Sequence, residues 1–104
     1  DLLSSNVEIS PDKFSLKQPY PNPFNPSINI DFDIAIPGIV NLKIYDIKGQ
    51  IIKNLADSYF DIGKYNIKWN GRDEFGRLIS TGVYFLKFHA KGHYKKTEKI
   101  LFLK

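Results

Sequence analysis

Nine residues, Pro19-Tyr20-Pro21-Asn22-Pro23-Phe24-Asn25-Pro26-Ser27, limit what this chain can fold into more than any other stretch. Each of their prolines fixes φ near about −65° and pushes the residue before it toward extended or polyproline backbone, so no helix runs through them. Each also lacks an N–H, which keeps the stretch out of the middle of a sheet and leaves it an edge, a lid or the approach to a strand. Tyr20 and Phe24 are the expected anchors, since a large aromatic contributes about 1.5–3 kcal/mol when buried. The stretch reads as a stiff bracket packed onto the domain it introduces.

Beyond the bracket the chain takes up a period of two. Ile28, Ile30, Phe32 and Ile34 alternate with Asn29, Asp31 and Asp33, the pattern of a half-buried strand with its carboxylates in solvent. Pro37-Gly38 predicts a type II turn, and hence a hairpin into a second strand over 39–45 with Val40, Leu42 and Ile44 inward. Asp46-Ile47-Lys48-Gly49 predicts a bulged hairpin into a strand over 50–55, followed by a longer loop over 56–63. Residues 64–70 alternate again, placing Tyr65, Ile67 and Trp69 on a core face. A loop over 70–77 leads to a short strand at 78–80, and Tyr84, Leu86, Phe88 and Ala90 mark the longest strand, over 83–91. Lys91-Gly92-His93 turns the chain into a closing strand over 94–104, whose unbroken run Ile100-Leu101-Phe102-Leu103 predicts burial on both faces. With a short strand at 14–17 this makes seven or eight strands and no helical periodicity, which predicts an all-β, antiparallel β-sandwich. Its expected core is Ile30, Phe32, Leu42, Ile44, Ile67, Trp69, Tyr84, Leu86 and Phe88.

The 104 residues suit one domain. Residues 1–13, mixed and aperiodic, read as a linker from an upstream protein of which 14–104 is the folded tail. With no Cys there is no disulfide, thiolate site or cysteine nucleophile. No apolar run approaches the roughly 20 residues that span a bilayer, and the N-terminus lacks the three-part pattern of a signal peptide. The net charge of +4 is uneven: residues 1–61 carry five Lys or Arg against eight Asp or Glu, and 62–104 carry ten against three. A basic half suits nucleic acid or an anionic surface, but no nucleic-acid motif is present, and lysines on strand faces also serve simply to block edge-to-edge pairing.

Residues that suggest chemistry have plainer readings. Asn70 to Gly76 resembles a calcium loop but lacks alternate acidic ligands and the late Glu. His89 and His93 straddle the last turn without a third ligand, so no metal is expected. Asn25-Pro26-Ser27 is not a glycosylation acceptor, because Pro occupies its middle position. The carboxylates fall on solvent faces or in turns, and no Ser, His and Asp grouping has supporting spacing, so no catalytic residue, cofactor or enzyme activity is expected.

Five motifs in register carry a family resemblance over about ninety residues: Tyr20-Pro21-Asn22-Pro23-Phe24-Asn25-Pro26-Ser27; Ile44-Tyr45-Asp46 with Gly49; Trp69-Asn70-Gly71-Arg72-Asp73 with Gly76; Thr81-Gly82-Val83-Tyr84-Phe85; and a Lys-flanked apolar terminus. The chain resembles the type A C-terminal sorting domain of the bacterial type IX secretion system, akin to the immunoglobulin-like domain of the flagellar hook-capping protein. Gln50 departs from it, standing where the family often has a basic residue. The resemblance implies an immunoglobulin-like sandwich and no catalysis. It implies a non-catalytic sorting signal that directs a cargo protein, after periplasmic transit, through the outer-membrane translocon to the cell surface or medium. It implies removal by a sortase-like peptidase, for which the 1–13 leader is the accessible site, and transfer of the cargo to anionic lipopolysaccharide.

Candidate residues for translocon recognition are Tyr20, Pro21, Asn22, Pro23, Phe24, Asn25, Pro26, Gly82, Tyr84, Lys99 and Lys104. The run from Lys99 to Lys104 is either a last strand or one that adds to a partner's sheet edge. Gly49, Gly71, Gly76 and Gly82 are expected turn glycines with positive φ. Two other readings of the chain stand beside the sorting signal. One is a passive structural or adhesive module, and the other a carbohydrate binder using Tyr45, Tyr59, Phe60 and Phe75.

Overall fold

The alternating stretches become strands because each has one apolar face to bury. The structure, a computed structural model, describes residues 10–104; part of the expected linker, residues 1–9, lies outside the described residues. Seven strands follow in order: β1 (Ser15–Leu16), β2 (Ile28–Ile34), β3 (Gly38–Tyr45), β4 (Ile51–Phe60), β5 (Gly63–Trp69), β6 (Gly82–Ala90) and β7 (Tyr94–Phe102). They form a three-stranded sheet, β1-β2-β5, and a four-stranded sheet, β4-β3-β6-β7, and every pairing within them is antiparallel. The inner faces meet in one core. Ile28, Ile30, Phe32 and Trp69 come from one sheet, and Val40, Leu42, Ile44, Leu86, Phe88, Ile100 and Phe102 from the other. Of the nine residues expected in the core, eight are buried and Ile67 is half-buried against it.

The connections depart from expectation. Pro37-Gly38 does not close a hairpin, because β2 and β3 lie in different sheets; Gly38 avoids positive φ and pairs with Phe60. Asp61-Ile62 likewise carries the chain from one sheet to the other. True hairpins join β3 to β4 and β6 to β7. In the first, Asp46 Oδ1 accepts the N–H groups of Lys48 and Gln50, each at 2.9 Å, and Gly49 takes φ +82°.

Three stretches change character. Residues 56–60 continue β4, pairing in unbroken register with 38–42 beyond two bulges at Ile52 and Leu55; as an edge stretch with Asp57, Ser58 and Tyr59 exposed, it shows no apolar alternation that would reveal it. The expected strand at 78–80 is a single bridge between Leu78 and Arg72, although Ile79 is buried. The run at 100–103 is not buried on both faces: Ile100 and Phe102 are buried, Leu101 is half-buried and Leu103 is exposed.

Asp33, expected in solvent, is 8 % exposed. Flanking side chains cover it: the Ser15 hydroxyl donates at 2.9 Å, Lys17 Nζ donates at 2.7 Å, and Lys64 Nζ stands 3.8 Å away. Burial alone would push its pKa up, but the hydrogen bonds from Lys17 and Ser15 and the charges of Lys17 and Lys64 outweigh it and hold the pKa below the ordinary 3.8. A depressed folded-state pKa contributes stability that is complete above the unfolded-state value and is lost as pH falls through the folded value. Thermal denaturation between neutral pH and strong acid should therefore show Asp33→Asn less stable than the parent at neutral pH, with the two converging below the ordinary 3.8. A constant gap would show that Asp33 carries no such linkage.

Trp69 is 1 % exposed, and its Nε1 donates to the Arg72 carbonyl at 2.9 Å. Trp69→Ala should cost about 3–5 kcal/mol in chemical denaturation, a large share of a small domain's stability.

Candidate functional site

The proline bracket begins on one sheet and ends on the other. Leaving β1, Lys17 N–H donates to the Asp31 carbonyl at 2.9 Å, and Tyr20 exchanges backbone bonds of 3.1 and 2.7 Å with Asn29, both on the three-stranded sheet. The chain then crosses the side of the sandwich through cis peptide bonds before Pro21 and Pro23, with a third before Pro26, past Phe24. At Phe24 it joins the outer edge of β7. Phe24 N–H donates to Leu101 O at 2.9 Å, Leu103 N–H donates to Phe24 O at 3.1 Å, and Phe24 and Phe102 form a parallel bridge. Asn22 imitates a further strand residue with its side chain: Nδ2 donates to Lys99 O at 3.1 Å and Oδ1 accepts from Leu101 N–H at 2.9 Å.

Phe24 is 1 % exposed, its ring centred 5.6 Å from Trp69 and 5.1 Å from Phe102. Tyr20 is no buried anchor. It is 49 % exposed and reaches Asp31 through its hydroxyl at 3.1 Å, a hydrogen bond to a carboxylate that raises the phenol's pKa. Beside Phe24, the bracket's end fits against Gly71, which takes φ +72° and whose missing Cβ would lie 2.8 Å from the Pro26 carbonyl oxygen. A side chain at Gly71 would therefore meet both a strained backbone and a backbone atom unable to move aside.

Most of the sequence-derived candidates converge along this side. Gly82 pairs in register with Phe102, without positive φ, and Tyr84 pairs with Ile100. Tyr84 is a core residue whose hydroxyl donates to Ser80 O at 2.7 Å. Lys99 and Lys104 are exposed, and Lys104 N–H donates to Thr81 Oγ1 at 3.0 Å. Pro21, Asn22, Pro23, Asn25 and Pro26 are exposed. Sequence reasoning missed Leu101 and Leu103, whose backbone groups receive the bracket; nothing local in an apolar run signals a partner some eighty residues away. Their engagement also leaves the end of β7 occupied, so a strand added there would have to displace Asn22 and Phe24.

Other candidates remain apart. His93 stacks on Phe14 at 5.4 Å. Asp73 Oδ1 caps its own loop, accepting from Phe75 and Arg77 N–H groups at 2.9 Å each, and these bonds, Arg77's first, hold its carboxyl below the usual range. Among the described residues no group of three His, Cys, Asp or Glu side chains is placed to hold a metal. The four aromatics of the carbohydrate reading share no platform: Tyr45 lies under Lys87 on the outer sheet face, and Phe60 packs on Phe32 and Tyr65.

Fold and site together define a β-sandwich module whose N-terminal segment seals one of its own edges. The sequence matches the family described as "Secretion system C-terminal sorting domain" over residues 18–103, and the chain belongs to that family. It is a non-catalytic sorting signal for export of a cargo protein by the type IX system, and its cargo is a secreted or cell-surface protein handled by that machinery. Two solved structures share the fold. Dimeric latent PorU from Porphyromonas gingivalis superimposes with a TM-score of 0.67 at 19% identity, covering 97% of this chain and 10% of that one. PorZ, described as an essential bacterial surface component of the type-IX secretion system of the same organism, gives 0.57 at 20% identity, covering 89% of this chain and 12% of that one. At these identities the likeness is one of fold, and the chain spans about a tenth of either protein's length. No curated protein matches the sequence.

Asn22→Ala removes two hydrogen bonds and exposes the edge groups they cover. It should cost about 1–3 kcal/mol in denaturant unfolding, and sedimentation should show more self-association through the uncovered strand. A variant equal to the parent in both measurements would show that Phe24 alone closes the edge.

Proposed function

We propose that the type IX translocon reads the bracketed edge of the sandwich. The contact residues are the exposed Tyr20, Pro21, Asn22, Pro23, Asn25 and Pro26 with Lys99 and Lys104, while Phe24, Gly82 and Tyr84 hold that surface in shape from beneath. The observation that carries this reading is the clamp of Asn22 and Phe24 on β7, which joins the bracket to the end of the chain as one rigid surface. Prolines and strand bonds order that surface before any partner arrives, so little conformational entropy is lost on docking. Residues 1–13 act as the joint to the cargo. A sortase-like peptidase cuts within or before them, after periplasmic transit, and the cargo is then released or anchored to anionic lipopolysaccharide. Domain termini and exposed loop tips are the usual sites of such nicking.

The test fuses residues 1–104 to the C-terminus of a fluorescent reporter carrying a Sec signal, in a type IX-competent host. Reporter should reach the surface or medium and stay periplasmic in a translocon mutant. The double variant Tyr20→Ala with Lys99→Glu should fold as the parent does yet lower export about tenfold, the equivalent of roughly 1.4 kcal/mol of recognition. Parent-like export of the folded variant would place recognition elsewhere, and no export of the unaltered fusion would make the domain a structural module.

A further inference from the structure

The outer face of the four-stranded sheet carries lysines that make no ion pair among the described residues. The register sets Lys43 of β3 directly opposite Lys87 of β6. On the next strand Lys95 stands opposite His89, Thr97 opposite Lys87 and Lys99 opposite Phe85. Like charges in directly opposed positions destabilise a sheet. Among the described residues, every ion pair is made by other cations: Lys17, Lys53, Lys64, Arg77 and Lys96. The carboxylate in register with this face is Asp57, opposite Asn41 on the edge strand β4. Protection against edge pairing explains lysines on edge strands, but β3 and β6 are the two central strands of the sheet.

The shape of the face selects the partner. A concavity of about 370 Å³, partly open to solvent, is lined by Lys43, Tyr45, Lys87, Lys95 and Thr97 among others. Lys87 Nζ lies over the Tyr45 ring, 4.5 Å from its centre, so this cation covers the aromatic that would otherwise anchor an apolar ligand. Without a deep apolar pocket the face lacks the anchor site around which protein ligands concentrate their binding energy. Lysines on neighbouring strands about 4.8 Å apart form an array of cations around that concavity instead. Such an array complements a flat array of phosphates, where attraction grows with each lysine brought to the surface and decays within a Debye length.

We propose that this face docks the domain on a lipid layer bearing anionic phosphate headgroups. The 104-residue chain should co-sediment with vesicles of phosphatidylglycerol in phosphatidylcholine, should not do so with phosphatidylcholine alone, and should be released at about 1 M salt. Combining Lys43→Gln, Lys87→Gln and Lys95→Gln should weaken vesicle binding by about tenfold or more while the melting temperature stays close to the parent's, since relief of the opposed pair offsets the lost Lys87–Tyr45 contact. Lys13→Gln, Lys48→Gln and Lys68→Gln together remove the same charge elsewhere and should leave most of the binding. Equal binding to both vesicle types, or equal loss in both triple variants, would overturn the proposal. So would binding to soluble polyphosphate or an acidic peptide without binding to vesicles.

Discussion

The open side of this sandwich depends on Phe24. Two packed sheets leave a seam at each side where inner faces would meet water, and an edge strand leaves a row of unpaired backbone groups. Phe24 answers both needs at one position, since its backbone donates to Leu101 and accepts from Leu103 while its ring fills the seam between Trp69 and Phe102. The prolines around it suit this duty. A segment that lies along an edge with solvent on its other side has few partners for its own N–H groups, and proline removes the donor that would go unpaired.

Much of the fold was legible because alternation is a direct imprint of burial. β2, β3, β5 and β6 show their inward residues in the sequence, and the turns at Asp46–Gly49 and Lys91–His93 carry their own chemistry. Which sheet a strand joins is a different matter. Pro37-Gly38 looks like a hairpin connection, yet it carries the chain across the core, as does Asp61-Ile62 at the end of what reads as a longer loop. The choice is made by which apolar faces fit together, and that depends on distant side chains. The same limit hid the far half of β4, whose exposed edge position leaves no clean period, and the burial of Asp33, which depends on Ser15 and Lys64 arriving from strands on either side.

The candidate site was legible as a set of motifs and not as a surface. The bracket's stiffness and the burial of Phe24 follow from its residues, but Tyr20, equally aromatic, lies outside and spends its hydroxyl on Asp31. Asn22, one polar residue among prolines, substitutes its amide for a strand's peptide group against Lys99 and Leu101. Neither role has a local signal, because both depend on the strands the bracket meets.

That meeting explains why the marker motifs stand in register along the chain. The bracket contributes Phe24 and Pro26, the Trp-Asn-Gly motif contributes Trp69 and the close-fitting Gly71, the Thr-Gly-Val-Tyr-Phe motif contributes Thr81 and Gly82, and the terminus contributes Phe102. Phe24, Trp69, Gly71 and Phe102 meet at the seam and Thr81 and Gly82 hold β7 from its other edge, so much of the signature by which the chain resembles its family records how the seam is closed and its last strand held. Residues that a translocon could contact are then the subset of those motifs left exposed by the closure. Lys43, Lys87 and Lys95 belong to none of the motifs and close nothing. Lys43 and Lys87 oppose like charges on the two central strands, a cost that an anionic surface outside the domain would relieve, and Lys95 on the edge strand β7 extends the same cationic face.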